Sequence, residues 1–137
     1  MNNIKKKIVV RIAEGLGNQL FMYANAYALS QTYNYELLID NTSGYFQSKN
    51  KIRNYELDNF LISSNIADNN LKFDSYTKNL IRKFMKRIDL FRKFKKFIIE
   101  TKDLNKNTHF NKIDLHGNPD IIFLEGHFES EKYFIDF

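Results

Sequence analysis

The residues best suited to chemistry cluster in Arg11-Ile-Ala-Glu-Gly-Leu-Gly-Asn-Gln-Leu-Phe-Met-Tyr-Ala. Gly15 and Gly17 let another group approach the backbone closely. If a helix starts here, its first N–H groups and positive dipole end can hold a phosphate or another anion. Asn18 and Gln19 add amides that donate to a phosphate or sugar oxygen and accept from a hydroxyl. The same residues also make a plain strand-to-helix turn with Asn18 as a cap. Five carboxylates stand near expected strand ends: Glu14, Asp40, Glu125, Glu129 and Glu131. A base that takes the proton of an attacking hydroxyl can come from this set, with Glu14 and Glu129 the candidates and Glu131 reading as a helix N-terminal acid. His127 follows an expected strand and can contact substrate or sit satisfied at the surface. His109, His116 and His127 are isolated in sequence, so no metal site is expected.

The elements that must position these groups follow from periodicity. Residues Ile4 to Ile12 read as a buried strand, and the Gly15–Gly17 turn ends it. Leu20, Phe21, Ala24, Tyr27 and Ala28 recur at helical spacing, and Glu36 to Asp40 forms a second short strand. Strand, glycine turn, helix and strand make a βαβ unit with parallel strands. Arg53 to Phe60 reads as a loop or short helix and Leu61 to Asp74 as irregular. From Ser75 to Glu100 apolar residues recur at helical spacing, among them Leu80, Ile81, Phe84, Ile88, Phe91, Phe94, Phe97 and Ile98. A polar stretch with a turn at Gly117-Asn118-Pro119 leads to a buried strand over Asp120 to Glu125, and Ser130 caps a helix starting at Glu131. The expected fold class is α/β, a Rossmann-like parallel sheet with flanking helices.

A dinucleotide fingerprint is one reading of the turn: Gly15 and Gly17 fit, and Asp40 ends the second strand at nearly the right distance. Leu20, however, holds the third glycine position. A more specific pattern emerges from three ordered segments. Gly15-Leu16-Gly17-Asn18-Gln19-Leu20-Phe21-x-Tyr23-Ala24 resembles the N-terminal motif of family 11 glycosyltransferases, the α-1,2-fucosyltransferases. Arg53-x-Tyr55-Glu56-Leu57-Asp58-x-Phe60 and Leu124-Glu125-Gly126-His127-Phe128-Glu129-Ser130-Glu131-Lys132-Tyr133-Phe134 resemble two further segments of that family. Three differences stand out: Glu14 replaces a glycine, His127 an aromatic and Glu129 a glutamine.

The resemblance implies that residues 1–137 are the N-terminal, acceptor-side domain of a two-domain, GT-B-like enzyme. Such an enzyme transfers L-fucose from GDP-fucose to O2 of a terminal galactose, with inversion and without a metal or other cofactor. It implies substrate contacts at Gly15, Gly17, Asn18, Gln19, His127 and Glu129. The family's donor-contacting His-x-Arg-Arg-x-Asp-Tyr motif does not occur among the 137 residues. The expectation is therefore a truncated chain, inactive alone, whose GDP-fucose would be held by a missing C-terminal half. The alternatives are a catalytically inactive fragment and a dinucleotide-binding domain.

Composition bounds the rest. With 43% hydrophobic and 27% charged residues the chain is globular in type, and lacking Cys it has neither disulfides nor thiolate sites. Its net charge of +5 is local: residues 78–102 carry +8 and the remainder −3. The segment 75–102 therefore reads as a basic amphipathic helical stretch, suited to a solvated surface or to an anionic membrane surface. No nucleic-acid motif accompanies the charge. The apolar run after the basic N-terminus is too short for a secretory or membrane segment, so the expected location is cytoplasmic, peripheral at most to the inner membrane face.

Overall fold

The computed structural model describes residues 5–47, 52–88, 95–100, 113, 115 and 119–135. Strand β1 spans Lys7–Arg11, helix α1 Leu16–Tyr33, β2 Glu36–Asp40 and β3 Asn65–Ile66. Helix α2 follows at Tyr76–Arg87, then β4 at Lys95–Ile99 and β5 at Ile121–Glu125. The five strands form one sheet in the order β3-β2-β1-β5-β4, and every pairing is parallel. The expected α/β class with a parallel sheet is thus present, and the βαβ unit lies where the sequence places it.

Alternation along the strands builds two cores. Ile8, Val10 and Ile12 point to one face with Leu37, Ile39, Ile122 and Leu124, where Met22, Ala26 and Leu29 of α1 cover them. Val9, Leu38 and Phe123 point to the other, against Ala67, Leu71 and Phe73. Strands buried on both faces read as continuous apolar runs, as Ile8-Val9-Val10 and Ile121-Ile122-Phe123-Leu124 do. Helix α1 stops at Asn34, whose left-handed backbone (φ 56°) lets its N–H reach back to the last carbonyls.

Three elements differ from the sequence reading. Among the described residues of the segment 75–102, Tyr76–Arg87 is helical and Lys95–Ile99 is instead a strand in register with β5. Phe97 stacks on Phe123 at 4.8 Å and Ile98 packs on the opposite core, an alternation that a helix cannot supply. Phe91 and Phe94 lie outside the described residues, as do His109, His116 and the Gly117-Asn118 turn. In the stretch read as irregular, Asn65 and Ile66 add a short edge strand to β2. The turn after Ser130 is a single 3-10 turn, Glu131–Tyr133, whose Lys132 N–H donates to Ser130 Oγ. Among the described residues no helix is long and apolar enough to cross a membrane.

Gly44 is held hard against the end of β1. A Cβ there would overlap the carbonyl of Ile12 and lie 2.8 Å from the Cβ of Ala13. Because backbone rather than a flexible side chain blocks it, Gly44→Ala is expected to cost about 3 kcal/mol. The check is urea unfolding, with the midpoint falling at unchanged slope.

Candidate functional site

In open parallel sheets, ligands bind outside the carboxyl ends of the strands. Here that edge is built from the segments following β1, β2 and β5. After β1 the chain turns at Glu14, whose φ of 64° is left-handed, the conformation that favours glycine. The Glu14 carboxylate pairs with Arg53 at 2.5 Å, both half-exposed. Gly15 is the N-cap of α1, with no side chain capping the helix. A Cβ added at Gly15 or Gly17 would meet nothing within 4 Å, so packing inside the chain does not require either glycine. They leave the outer surface of the turn open. Asn18 is half-buried beside them.

Gln19 does something other than face a ligand. It is fully buried, and all its polar atoms are used within the chain. Its Nε2 donates to the carbonyls of Glu14 (2.9 Å) and Asn54 (2.8 Å), and its Oε1 accepts from Glu56 N–H at 2.9 Å. One amide thereby joins the glycine turn to the Arg53–Phe60 segment. The expected substrate contact at Gln19 is replaced by this bridge, since no donor is left for a sugar or phosphate.

Beside the bridge opens a cleft of about 450 Å³ lined by Asn41, Thr42, Tyr45, Phe46, Asn54, Tyr55 and Asp74. It lies just past the carboxyl end of β2. A smaller cleft of about 260 Å³ borders Glu36, at the opposite end of that strand. Asp40 shapes the larger cleft: its buried Oδ1 accepts from the N–H of Thr42 (3.2 Å) and of Ser43 (3.0 Å), turning the chain sharply. Asp74 accepts from Lys78 Nζ and Thr42 Oγ1, each at 3.1 Å. Burial pushes the Asp74 carboxyl up, but these hydrogen bonds and the Lys78 charge outweigh it and hold it below its ordinary value of 3.8. Tyr45 donates to the carbonyl of Glu14 at 3.2 Å, and burial, then the negative charge of Glu56 and Glu14, pushes its phenol up to about 12. It is therefore a neutral donor across the working pH range.

On the other side of β1, the end of β5 carries a charge cluster. Glu125 is buried and clamped by Arg82 (2.7 Å) and Lys86 of α2. Arg11 lies near both charges; burial lowers its basicity, with Arg82 adding to that effect. Beyond Glu125, the N–H groups of His127 and Phe128 both donate to Glu100 Oε2, at 2.8 and 2.9 Å, and Tyr133 donates to Oε1. This anion-receiving loop is already filled by a carboxylate of the same chain. Glu100→Ala is expected to cost about 2 kcal/mol and to speed amide hydrogen exchange in 126–133 while β1 and β2 stay protected.

The expected site residues divide accordingly. Glu14, Gly15, Gly17, Asn18 and Gln19 stand together at the β1 turn. His127 and Glu129 stand beyond β5, where His127 Nδ1 and Glu129 Oε1 approach to 3.5 Å and Glu129 is exposed. Neither Glu14, paired with Arg53, nor Glu129 lines the cleft. Asp74, Tyr45 and Asn41 do, and only the polar run Asn41-Thr42-Ser43-Gly44 hints at them in the sequence. No protein-family model, curated protein or solved structure matches the chain.

Proposed function

We propose that this chain is the acceptor-side part of an inverting α-1,2-fucosyltransferase, and that the cleft beside Asp74 receives the terminal galactose. The observation that carries this reading is the convergence of the three family-like segments on one edge of the sheet. Gln19 of the first hydrogen-bonds Asn54 and Glu56 of the second, and Phe21 of the first meets Phe134 of the third at 6.1 Å between ring centres. The left-handed backbone at Glu14 gives a physical reason for the glycine that relatives of that kind carry there.

The lining suits a sugar. Tyr45, Phe46 and Tyr55 offer ring faces for C–H groups, while Asn41, Asn54, Thr42 and Asp74 offer partners for hydroxyls. Each Asp74 oxygen can accept a further hydrogen bond beyond those from Lys78 and Thr42. Its lowered pKa makes it a standing anion and a weak base, so it positions an acceptor hydroxyl rather than deprotonating it. Groups that stabilise the departing GDP belong to the donor motif, which these 137 residues do not contain. The dinucleotide reading loses ground because Asp40, its ribose reader, is buried and folded into its own loop.

The test is titration of the full chain with methyl β-galactoside, followed by NMR, with NADH as comparator. Galactoside is expected to bind, and Asp74→Ala to weaken it about ten-fold, the effect of one charged hydrogen bond. Affinity should stay level on acidification through the ordinary carboxylate range, because the Lys78 and Thr42 hydrogen bonds hold Asp74 below its usual value and ionised there. NADH binding without galactoside binding would contradict the proposal.

A further inference from the structure

Helix α2 is amphipathic, yet its orientation is the reverse of a core helix. Its residue buried from solvent is polar, Asn79, and Arg82 donates to the Asn79 side chain at 3.2 Å. Lys78 reaches Asp74, and Arg82 and Lys86 reach Glu125, so the polar face is turned into the protein and fixed there by ion pairs. The apolar residues face out: Tyr76 is 75% exposed, Leu80 65%, Ile81 53% and Phe84 61%. Tyr76, Leu80 and Phe84 are four apart and form one stripe, with Ile81 widening it. Exposed Lys83 and Arg87 lie along the same side of the helix, and α2 contains no acid.

Singly exposed apolar residues are ordinary, but a contiguous stripe on one helix marks a binding surface. The charge decides between partners. A stripe of aromatic and aliphatic side chains bordered by Lys and Arg, without acids, is complementary to a surface that is apolar beneath and anionic on top. We propose that the outer face of α2 is a docking surface for an anionic lipid bilayer, with Tyr76, Leu80, Ile81 and Phe84 entering the headgroup region and Lys83 and Arg87 meeting lipid phosphates. The inward ion pairs explain why the stripe stays outside: swinging it onto the core would strip Glu125 of both cations. Tyr76 also meets Phe46 edge-on at 5.1 Å, so the rim of the sugar cleft lies beside the same surface. This inference stands independently of the transferase reading.

The chain contains no Trp, so Phe84→Trp makes a single reporter at an exposed position. Vesicles of phosphatidylcholine with about one-third phosphatidylserine are expected to shift its emission to the blue. Pure phosphatidylcholine vesicles should do so far less, and raised salt should reverse the shift. In co-sedimentation with the same vesicles, Leu80→Ser/Phe84→Ser should lose about ten-fold or more in binding. Lys83→Glu/Arg87→Glu should abolish the preference for phosphatidylserine while leaving the circular dichroism unchanged. No blue shift with the anionic vesicles at low salt would overturn the proposal. So would a concentration-dependent dimer that buries the reporter without lipid, or binding to heparin with no response to vesicles.

Discussion

Replacing Gln19 with leucine is expected to cost about 4 kcal/mol and to remove galactoside binding, while most of the helix and sheet content survives at low temperature. Leucine matches glutamine closely enough in bulk that no large cavity forms, so the loss is polar. With the fully buried amide of Gln19 gone, the Asn54 carbonyl and the Glu56 N–H lose this partner and the Glu14 carbonyl keeps only Tyr45. Each buried group left unmade costs about 1–3 kcal/mol. Gln19→Glu should fare no better, because its carboxylate would face the two carbonyl oxygens that Nε2 now satisfies. Asn54 and Tyr55 line the cleft and are anchored through this bridge, so binding should fail before the fold does. Thermal unfolding with a parallel galactoside titration checks both parts. A variant that keeps wild-type stability would show that the bridge is replaceable.

Glu125→Gln is expected to cost about 3 kcal/mol. The shape is kept, but Arg82 and Lys86, whose side chains are 12% and 21% exposed, lose their counter-charge next to Arg11. Breaking a buried pair by removing one partner leaves charges that water reaches poorly. The cost sits at the low end because Lys86 can still swing toward solvent. The triple change Glu125→Leu, Arg82→Met, Lys86→Met should recover most of the loss, since apolar replacement of a whole buried ion cluster is often neutral. Urea unfolding of wild type and the two variants distinguishes electrostatics from packing. If Glu125→Gln matches wild type, the clamp contributes nothing to stability.

The sheet was readable where strands are buried on both faces. Ile8-Val9-Val10, Leu37-Leu38-Ile39 and Ile121-Ile122-Phe123-Leu124 are short apolar runs closed by turn residues, and each is a strand. β4 was not, because Phe94, Phe97 and Ile98 satisfy a helical period as well as an edge strand does, and only pairing with β5 decides between them. β3 contributes two residues, too few for any period. The Gly15–Gln19 turn was legible as a chemically distinctive feature, but the role of Gln19 was not. Its partner Asn54 lies 35 residues away, and spacing cannot show that an amide will be buried. The cleft was hidden for a similar reason: Asn41 and Tyr45 follow β2, Asn54 lies later in the same connection and Asp74 precedes α2, and the Asp40 turn and the Gln19 bridge draw them together. Glu100 was equally hidden, for its partners in 127–133 follow the next strand.

Binding of a terminal galactose at the carboxyl end of β2 is tested most directly by mapping methyl β-galactoside on the full chain with backbone amide chemical shifts. Saturable shifts are expected at Asn41, Thr42, Tyr45, Phe46, Asn54, Tyr55 and Asp74. They should need about ten-fold more galactoside to saturate in Asp74→Ala and be much weaker with methyl β-glucoside. Shifts confined to the β5 loop around His127 and Glu129, or none at all, would contradict this placement of the sugar.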